Sequence, residues 1–573
     1  MTAPPFEALL YLAANPDLVE AGVDPTDHYE RWGRNENRPL RPPSFLSAAQ
    51  EEAVRRAFDA EYYAYEYPDI ARACGDLFWH FLTIGWREGR NPSGAFDTAE
   101  YLRLHRDVRD AGMNPLVHWV IYGRATGRLL GRAPDSPQRA IEAAQAPSAR
   151  VAGRAPASVP LLPREVLAAR LREAASRGGR ALAVSVSHDD YAVVSGGVQN
   201  VVGDEARAIA EAGGTYLHLR AVQALPMLAP PDRPVAYALR VNGEAIGAAS
   251  GADIAAALRE AGRLFPARGL MLHHLLGTKP EEVAAIADAL APARTWFVLH
   301  DYFTLCVNPM LMRNDFAYCG APPAESGSCF VCCYGQDRRD HLARMTRFLG
   351  DVRPDMVAFS CAAASLWRAR ELVPGLDLRE AVPARLEAGA PVALPERVRS
   401  GEAPLRVAFL GAPTHAKGWR VFAELSEAER ARGRVAFFHF GVPDKGRPDM
   451  TTVEVRVTPD ARMAMVEALR AHAIDVVVHW SLCAETFGFS ALEALAAGAF
   501  VVARDGPGNI PALLRPHIPD QACLVKDEAA LRALFASGDI FEYAARSGRR
   551  RFDLVTLAPL AAMLLGEEVS AHG

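Results

Sequence analysis

The stretch that most constrains the fold is residues 475–505, DVVVHWSLCAETFGFSALEALAAGAFVVARD. Val476-Val477-Val478 reads as a strand buried on both faces, Gly488 and Ser490 break the pattern, and Leu492, Leu495 and Ala496 return at helical spacing. The spacing predicts a strand, a short loop and a helix beginning near Ser490. Unpaired backbone N–H groups and the positive end of the helix dipole then face the loop, an arrangement suited to a diphosphate, and Gly488 lets a ligand approach the backbone. Glu485 lies just before the helix and Glu493 in its first turn, so two carboxylates flank one anion site without sharing a helical stripe. Carboxylates are poor phosphate ligands but good acceptors for sugar hydroxyls. The pattern points to a sugar carried on a nucleotide.

A chain of 573 residues is several domains long, and with half of its residues hydrophobic these are packed domains. A net charge of −5 and a pI near 6.4 give no global pull toward nucleic acid, so an anionic partner must be bound locally. No run approaches the ~18–20 apolar residues that span a bilayer, and MTAPPFEALLYL lacks a basic segment followed by an apolar core. The expected location is the cytoplasm, with any membrane contact peripheral and at the inner face. Nine cysteines, an odd number, argue against a full disulfide framework.

The first 130 residues repeat. Segments starting at Phe6, Phe58 and Phe96 align without a gap, each with a histidine 22 residues on (His28, His80, His118) and a glycine 27 on (Gly33, Gly85, Gly123). Each copy reads as two short helices, the second stopped by its glycine. One histidine per separate repeat does not gather metal ligands, so a bridging role inside each helical pair is favoured. The units resemble repeats found beside bacterial polysaccharide glycosyltransferases and in bacterial surface proteins, which implies an all-α repeat domain and leaves room for a protein partner.

Residues 131–164, rich in Ala, Pro, Ser and Arg, read as a linker, and 164–179 as a basic amphipathic helix that either touches anionic lipid or leads into a domain. From Arg180 the pattern is β-α-β, with buried-type strands at 181–187, 215–219, 235–241, 269–274, 295–300 and 356–360. Gly196-Gly197 precedes a helix and permits close approach of phosphate. His300-Asp301 closes a strand, where ligands of open α/β sheets bind, and His273 and His274 close the preceding one. Cys306, Cys319, Cys329, Cys332 and Cys333 then crowd into an insertion poor in aliphatic residues. Cys329-x2-Cys332 is a zinc-type half-site that Cys319 can join; a disulfide or free thiols are the alternatives. Following His300, this insertion is expected on the acceptor side.

A second α/β unit begins at Arg406, with strands at 406–411, 435–440, 453–457, 475–480 and 500–504 and a loop that brings Lys417-Gly418 to a helix entry, where a lysine reaches a diphosphate. The tail from Phe541 reads as helical, and Arg549-Arg550-Arg551 as a solvated cluster or a lipid or acceptor contact.

Glu485 and Glu493 with the intervening Phe487-Gly488-Phe489, the glycine pair Gly196-Gly197 and the Lys417-Gly418 loop together resemble retaining GT-B glycosyltransferases of glycosyltransferase family 4. The resemblance spans roughly 180–570. It implies an α/β fold of two Rossmann-like domains facing a cleft, behind an all-α repeat domain: 1–130 repeats, 131–164 linker, 165–400 acceptor side, 401–550 nucleotide-sugar side, 551–573 tail helix. It also implies a UDP-, GDP- or dTDP-sugar donor, a glycan, lipid-linked or protein acceptor, and transfer without an essential metal. Carried over residue by residue, Lys417 and the helix behind Gly488 meet the diphosphate, Glu493 the ribose, Glu485 the donor sugar, and His300 the reacting centre. Ala412 stands where the family usually has arginine, a gap that Arg420 or His415 would have to fill. The rival reading is a GT-B scaffold with little turnover that acts through its repeats.

Overall fold

The computed structural model describes residues 6–43, 46–94, 96–124, 126, 128, 144–370, 372–387, 389–392, 403–430, 432–441, 450–546 and 548–566. They form two compact units, Met1–Glu142 and Ala143–Gly573. Residues 131–143 of the expected linker and 567–573 of the expected tail helix lie outside the described residues.

In the first unit each repeat is built the same way. An Asp or Asn side chain caps the start of each second helix: Asp24 accepts from the Asp27 N–H, Asp76 from Trp79, and Asn114 from Leu116 and Val117. The fully buried Tyr11, Tyr63 and Tyr101 bond through their hydroxyls to Nδ1 of His28, His80 and His118 at 3.0, 3.1 and 2.9 Å. These histidines are satisfied core residues. The repeated glycine makes room for that bond, since a Cβ at Gly85 would stand 2.1 Å from the Tyr63 hydroxyl. Ion pairs Asp17–Arg38, Asp69–Arg90 and Asp107–Arg128 recur across the copies at 2.6, 3.3 and 2.7 Å.

The second unit carries two sheets. The first has eight strands: β1 Ala181–Ser187, β2 Thr215–Ala221, β3 Ala236–Val241, β4 Glu244–Ser250, β5 Ala267–Leu272, β6 Arg294–Leu299, then, after a small hairpin of β7 Met312–Arg313 and β8 Ala317–Tyr318, β9 Asp355–Ala358 and β10 Leu378–Glu380. Their order is β10-β9-β6-β5-β1-β2-β3-β4, with β10 to β2 parallel and β3 and β4 antiparallel. β11 Ala384–Glu387 lies outside this sheet. The second sheet is wholly parallel, β12 Leu405–Leu410, β13 Val435–Phe440, β14 Thr451–Val453, β15 Val476–His479, β16 Phe500–Arg504 and β17 Ala522–Val525, in the order β14-β13-β12-β15-β16-β17. Strands such as β1 and β16 are apolar and buried along nearly their whole length because helices cover both faces. Two Rossmann-like halves in this arrangement are the GT-B fold.

The structure departs from expectation in several places, among them the strand expected at 453–457, which the structure places at Thr451–Val453. Residues 147–162, taken for linker, pack on the first sheet: the Ser148 N–H donates to Asp337 at 2.8 Å, Val151 is buried beside Leu225 and Ala229, and the Leu162 N–H donates to the Ala248 carbonyl at 2.7 Å. The tail is not helical throughout, because the β-prone Asp553–Thr556 (β18) pairs antiparallel with β11 before the helix Pro559–Leu565. That helix crosses back to the first half, where the buried Glu205 carboxylate accepts from the Leu560 and Ala561 N–H groups at 2.9 and 2.5 Å. Arg549 is buried, donating to the Gly498 and Ala544 carbonyls, so the arginine run is in part a structural tie. In the helix Arg164–Ser176, Leu167, Ala168 and Leu171 face the core, while Arg170, Arg172 and Arg177 pair with Glu244, Glu260 and Glu173. Among the described residues no helix is long and apolar enough to cross a membrane.

Candidate active site

In the second sheet the chain runs from β12 outward through β13 and β14, then returns to β15 on the other side of β12. A crevice therefore opens between the loops that follow β12 and β15, the usual ligand position in such sheets. The first loop ends in the turn His415–Lys417 and Gly418. Gly418 has φ +82°, and a Cβ there would lie 1.9 Å from the Trp480 carbonyl oxygen, so only glycine lets the loop close onto the end of β15. There Lys417 Nζ meets Glu485 Oε1 at 2.5 Å, and the Ser481 hydroxyl donates to the same oxygen at 2.9 Å.

Burial pushes the Glu485 carboxyl up, but Lys417, His479 and Ser481 together outweigh it and bring it down to about 2. It is thus an ionised acceptor at physiological pH and not a proton donor. For Lys417 burial works downward, Glu485 wins, and the ammonium is held charged. The other carboxylate oxygen makes no hydrogen bond among the described residues, and the ammonium keeps two N–H groups beyond the one aimed at Glu485. The pair offers a free acceptor and free donors side by side, with the Lys417 side chain 41% exposed.

The helix after β15 spans Phe489–Ala497, one residue longer at its start than predicted, which moves Glu493 from the first turn to the second. Gly488 caps it at φ +106°, where a Cβ would meet Ile510 at 2.4 Å. Glu493 is buried and makes no hydrogen bond among the described residues. Burial lifts its carboxyl to about 7, against the pull of Arg462. Arg462 pairs with Asp204 of the first half at 3.2 Å and lies 5.6 Å over the Phe489 ring. Phe487 is buried, with Phe359 and Phe489 at 6.2 and 4.8 Å between ring centres. Asn509, in the Asp505-Gly-Pro-Gly-Asn509 turn, fixes this loop by donating from its backbone to the Glu485 carbonyl (2.8 Å) and from its side chain to that of Phe487 (2.7 Å). Nothing local in the sequence signals its hold on Glu485.

The carboxyl ends of both sheets face each other across this crevice. The Thr486 hydroxyl donates to the His300 carbonyl at 2.6 Å, Ser360 donates to the Thr486 carbonyl at 2.6 Å, and Ser195 to the Val457 carbonyl at 2.7 Å. Gly196 and Gly197 begin the helix Gly197–Glu211, and a Cβ on Gly197 would sit 3.7 Å from the Phe489 ring. His300, partly exposed, contacts His273 through Nε2 to Nδ1 at 3.0 Å, while His273 Nε2 is buried without a partner. An orphaned lone pair is cheaper than an orphaned N–H. The favoured tautomer has His273 donating from Nδ1, which leaves His300 with an Nδ1–H donor. Burial, and then the neighbouring histidines, hold His300 well below its usual range and hence neutral. His273 and His274 stand behind it almost wholly buried, His274 bonded to Asp301 at 3.0 Å.

Three expectations need correction. Arg420 does not fill the gap at Ala412, because Glu424 and Glu528 hold its guanidinium at 2.6 and 3.2 Å. His415 is turned toward Phe316 and donates from Nε2 to its carbonyl at 3.0 Å. Cys319, Cys329 and Cys332 form no preformed zinc site: among the described residues no three His, Cys, Asp or Glu side chains come together to hold a metal, and the cysteines are free. Burial and one arginine order the insertion instead. Cys306, Leu311, Met312 and Ala321 are buried, and the buried Arg338 donates to the Leu305 and Pro322 carbonyls and to Cys329 Sγ at 3.0, 2.7 and 2.8 Å.

No protein-family model matches this chain, and a search of curated proteins finds no match. Among solved structures the chain is similar to sucrose-phosphate synthase from Thermosynechococcus elongatus, at 16% identity over 64% of this chain and 92% of that one, with a TM-score of 0.39. It is similar to HepE from Anabaena in complex with UDP and glucose, at 12% identity over 68% and 96%, with a TM-score of 0.38. It is also similar to a glycosyltransferase from Rickettsia africae, at 10% identity over 68% and 95%, with a TM-score of 0.39.

Proposed function

We propose that this chain is a retaining glycosyltransferase of the family 4 kind, taking a sugar from a UDP-, GDP- or dTDP-sugar and passing it to a glycan, lipid-linked or protein acceptor in cell-surface polysaccharide synthesis. The observation that carries this reading is the Lys417–Glu485 pair at the switch point of the second sheet, with a second buried carboxylate, Glu493, in the helix behind Gly488 that makes no hydrogen bond among the described residues. Charge develops on the departing diphosphate, and the free N–H groups of Lys417 and the backbone N–H groups behind Gly488 are set to meet it. Glu485, ionised and with one oxygen free, accepts from hydroxyls of the donor sugar. Glu493 accepts from the ribose, and the His300 Nδ1–H orients the sugar or acceptor at the reacting carbon. In this reading the second half holds the donor, the first half holds the acceptor, and the repeats are not needed for donor chemistry.

The test is slow hydrolysis of a panel of UDP-, GDP- and dTDP-sugars by the purified chain, since a complete donor site leaks to water. One donor should be consumed, and Glu485→Gln should abolish that turnover while leaving nucleoside diphosphate affinity within about twofold. Turnover of no donor supports the scaffold reading instead, and an equal loss of nucleotide affinity in the variant removes Glu485 from the sugar.

A further inference from the structure

The proposed chemistry leaves unused the insertion between β6 and β9, whose small hairpin is built with unusual care. Its turn residues Asn314 and Asp315 adopt φ of +51° and +59°. Side chains fix both: Asn308 donates to the Met312 carbonyl and to Asp315 Oδ1 at 2.9 and 2.8 Å, the Tyr334 hydroxyl donates to the same Asp315 oxygen at 2.6 Å, and the Cys333 N–H donates to Asn314 Oδ1 at 2.7 Å. The residue presented beyond this turn is Phe316. Its ring stacks on His415 with centres 4.8 Å apart and planes inclined by 17°, and its carbonyl receives the His415 Nε2–H. Beside it the buried Met312 packs on Ala416 and Cys483, flanked by Tyr318 and Leu482. Both residues that precede Lys417 are thus gripped by a hairpin of the opposite half. This placement puts the tip of the insertion on the loop that carries Lys417.

We propose that the hairpin is a clamp on the donor loop and that Phe316 is a positioning residue acting on Lys417 through His415. The inference rests on the donor reading above and deepens it. The loop from Gly411 to Gly418 carries Lys417 as its one permanently charged side chain, and lysine is a point charge on a flexible stem. Such a group binds a diphosphate well only if its loop is ordered beforehand, because ordering at the moment of binding is subtracted from affinity. Within the second half the loop is tied by the Leu482 N–H to the Ala416 carbonyl at 2.8 Å and by the Lys417 N–H to the Thr414 carbonyl at 3.1 Å. The hairpin adds the grip on the side chains of the turn, so the single cation is aimed by a part of the first half.

Two readouts on the full chain test this, with Phe316→Ala as the disrupting variant and Phe316→Tyr as the conservative one. The first needs no ligand: hydrogen exchange at the amides of Lys417, Gly418 and Trp419 should speed up tenfold or more in Phe316→Ala, stay at the wild-type rate in Phe316→Tyr, and leave β16 unchanged. The second is donor turnover with the panel above: KM for the consumed donor should rise about tenfold in Phe316→Ala, with kcat falling less than KM rises, and Phe316→Tyr should restore both. Unchanged exchange at 417–419 overturns the clamp whether or not any donor is consumed. Faster exchange with an unchanged donor KM overturns the positioning of Lys417. Faster exchange in Phe316→Ala, together with a wild type that consumes no donor, leaves the clamp standing and overturns the donor reading. Should Phe316→Ala also accelerate exchange in β16, the fold has suffered, and His415→Gln, which leaves the hairpin intact, must then give the local effect for the proposal to stand.

Discussion

Replacing Lys417 by methionine keeps the aliphatic stem and removes the charge, and the consequences follow from its pairing with Glu485. The Glu485 carboxyl is held from an ordinary 4.5 down to about 2, although burial works against this. At 1.36 kcal/mol per pKa unit the depression corresponds to ~3 kcal/mol. Because Lys417 is 41% exposed and partly screened by water, roughly half of that, on the order of 1–2 kcal/mol, is assigned to the pair. A depressed carboxyl stabilises the fold above the unfolded pKa and loses that contribution as pH falls through its folded value. The gap in stability between wild type and Lys417→Met should therefore be open at pH 7 and close between about pH 4.5 and pH 2. The effect on the reaction is larger, because the proposed function sets the lost N–H groups against the departing diphosphate: kcat should fall ~10²- to 10³-fold. The residual activity should gain an acid limb, rising with pH as Glu485, freed of its cation, ionises later. Donor turnover measured from about pH 4 to 8, and urea unfolding midpoints measured from about pH 2 to 8, check the two effects in turn. Wild-type turnover with an unchanged pH profile would refute the role of Lys417 and the electrostatic reasoning together.

Glu493 supplies a second pH signature: lifted by burial to about 7, it accepts from ribose hydroxyls best when ionised, so nucleoside diphosphate affinity should rise between pH 6 and 8, and Glu493→Gln should flatten that dependence in calorimetric titrations. Gly418→Ala should cripple donor binding and lower the thermal midpoint, since its Cβ must stand 1.9 Å from the Trp480 carbonyl oxygen at φ +82°; a variant with wild-type nucleotide affinity would show that the loop need not close on β15. Arg338→Met strips three hydrogen bonds from the insertion and leaves two carbonyls buried, so it should cost ~2–4 kcal/mol and expose residues 302–334 to limited proteolysis, whereas chelators should leave the wild type unaffected. In the first unit, Gly85→Ala pushes a methyl into the Tyr63–His80 bond; circular dichroism should show the repeats melting earlier while donor hydrolysis stays at the wild-type rate.

The legible and illegible parts of this chain divide along the range of the interactions. Strands such as Val476-Val477-Val478 were readable because parallel strands covered on both faces are apolar along their length, and the loop with Glu485 and Gly488 was readable because helix starts carry local signatures. Asn242-Gly243 is a hairpin signal of the same local kind, and it accounts for β4, one of several strands absent from the expected set, with β10 and β17. Asp553–Thr556 was absorbed into a helical tail because its partner, Ala384–Glu387, lies far away in the chain. The same distance hides the site's internal wiring: Lys417 and Glu485 read as independent contacts to phosphate and sugar, yet they touch each other, and the grip of Phe316 on His415 joins residues 99 positions apart. The cysteine insertion misled because its low aliphatic content implied a need for metal, whereas a single buried arginine and the neighbouring core supply the order.

The central claim, that a nucleotide sugar is held at the switch point of the second sheet, is tested most directly by a crystal structure of the chain with whichever of UDP, GDP and dTDP it binds most tightly. The diphosphate should lie within hydrogen-bond distance of Lys417 Nζ and of the backbone N–H groups behind Gly488, with the ribose hydroxyls on Glu493. A nucleotide bound elsewhere, with the Lys417–Glu485 pair undisturbed and the crevice empty, would contradict it.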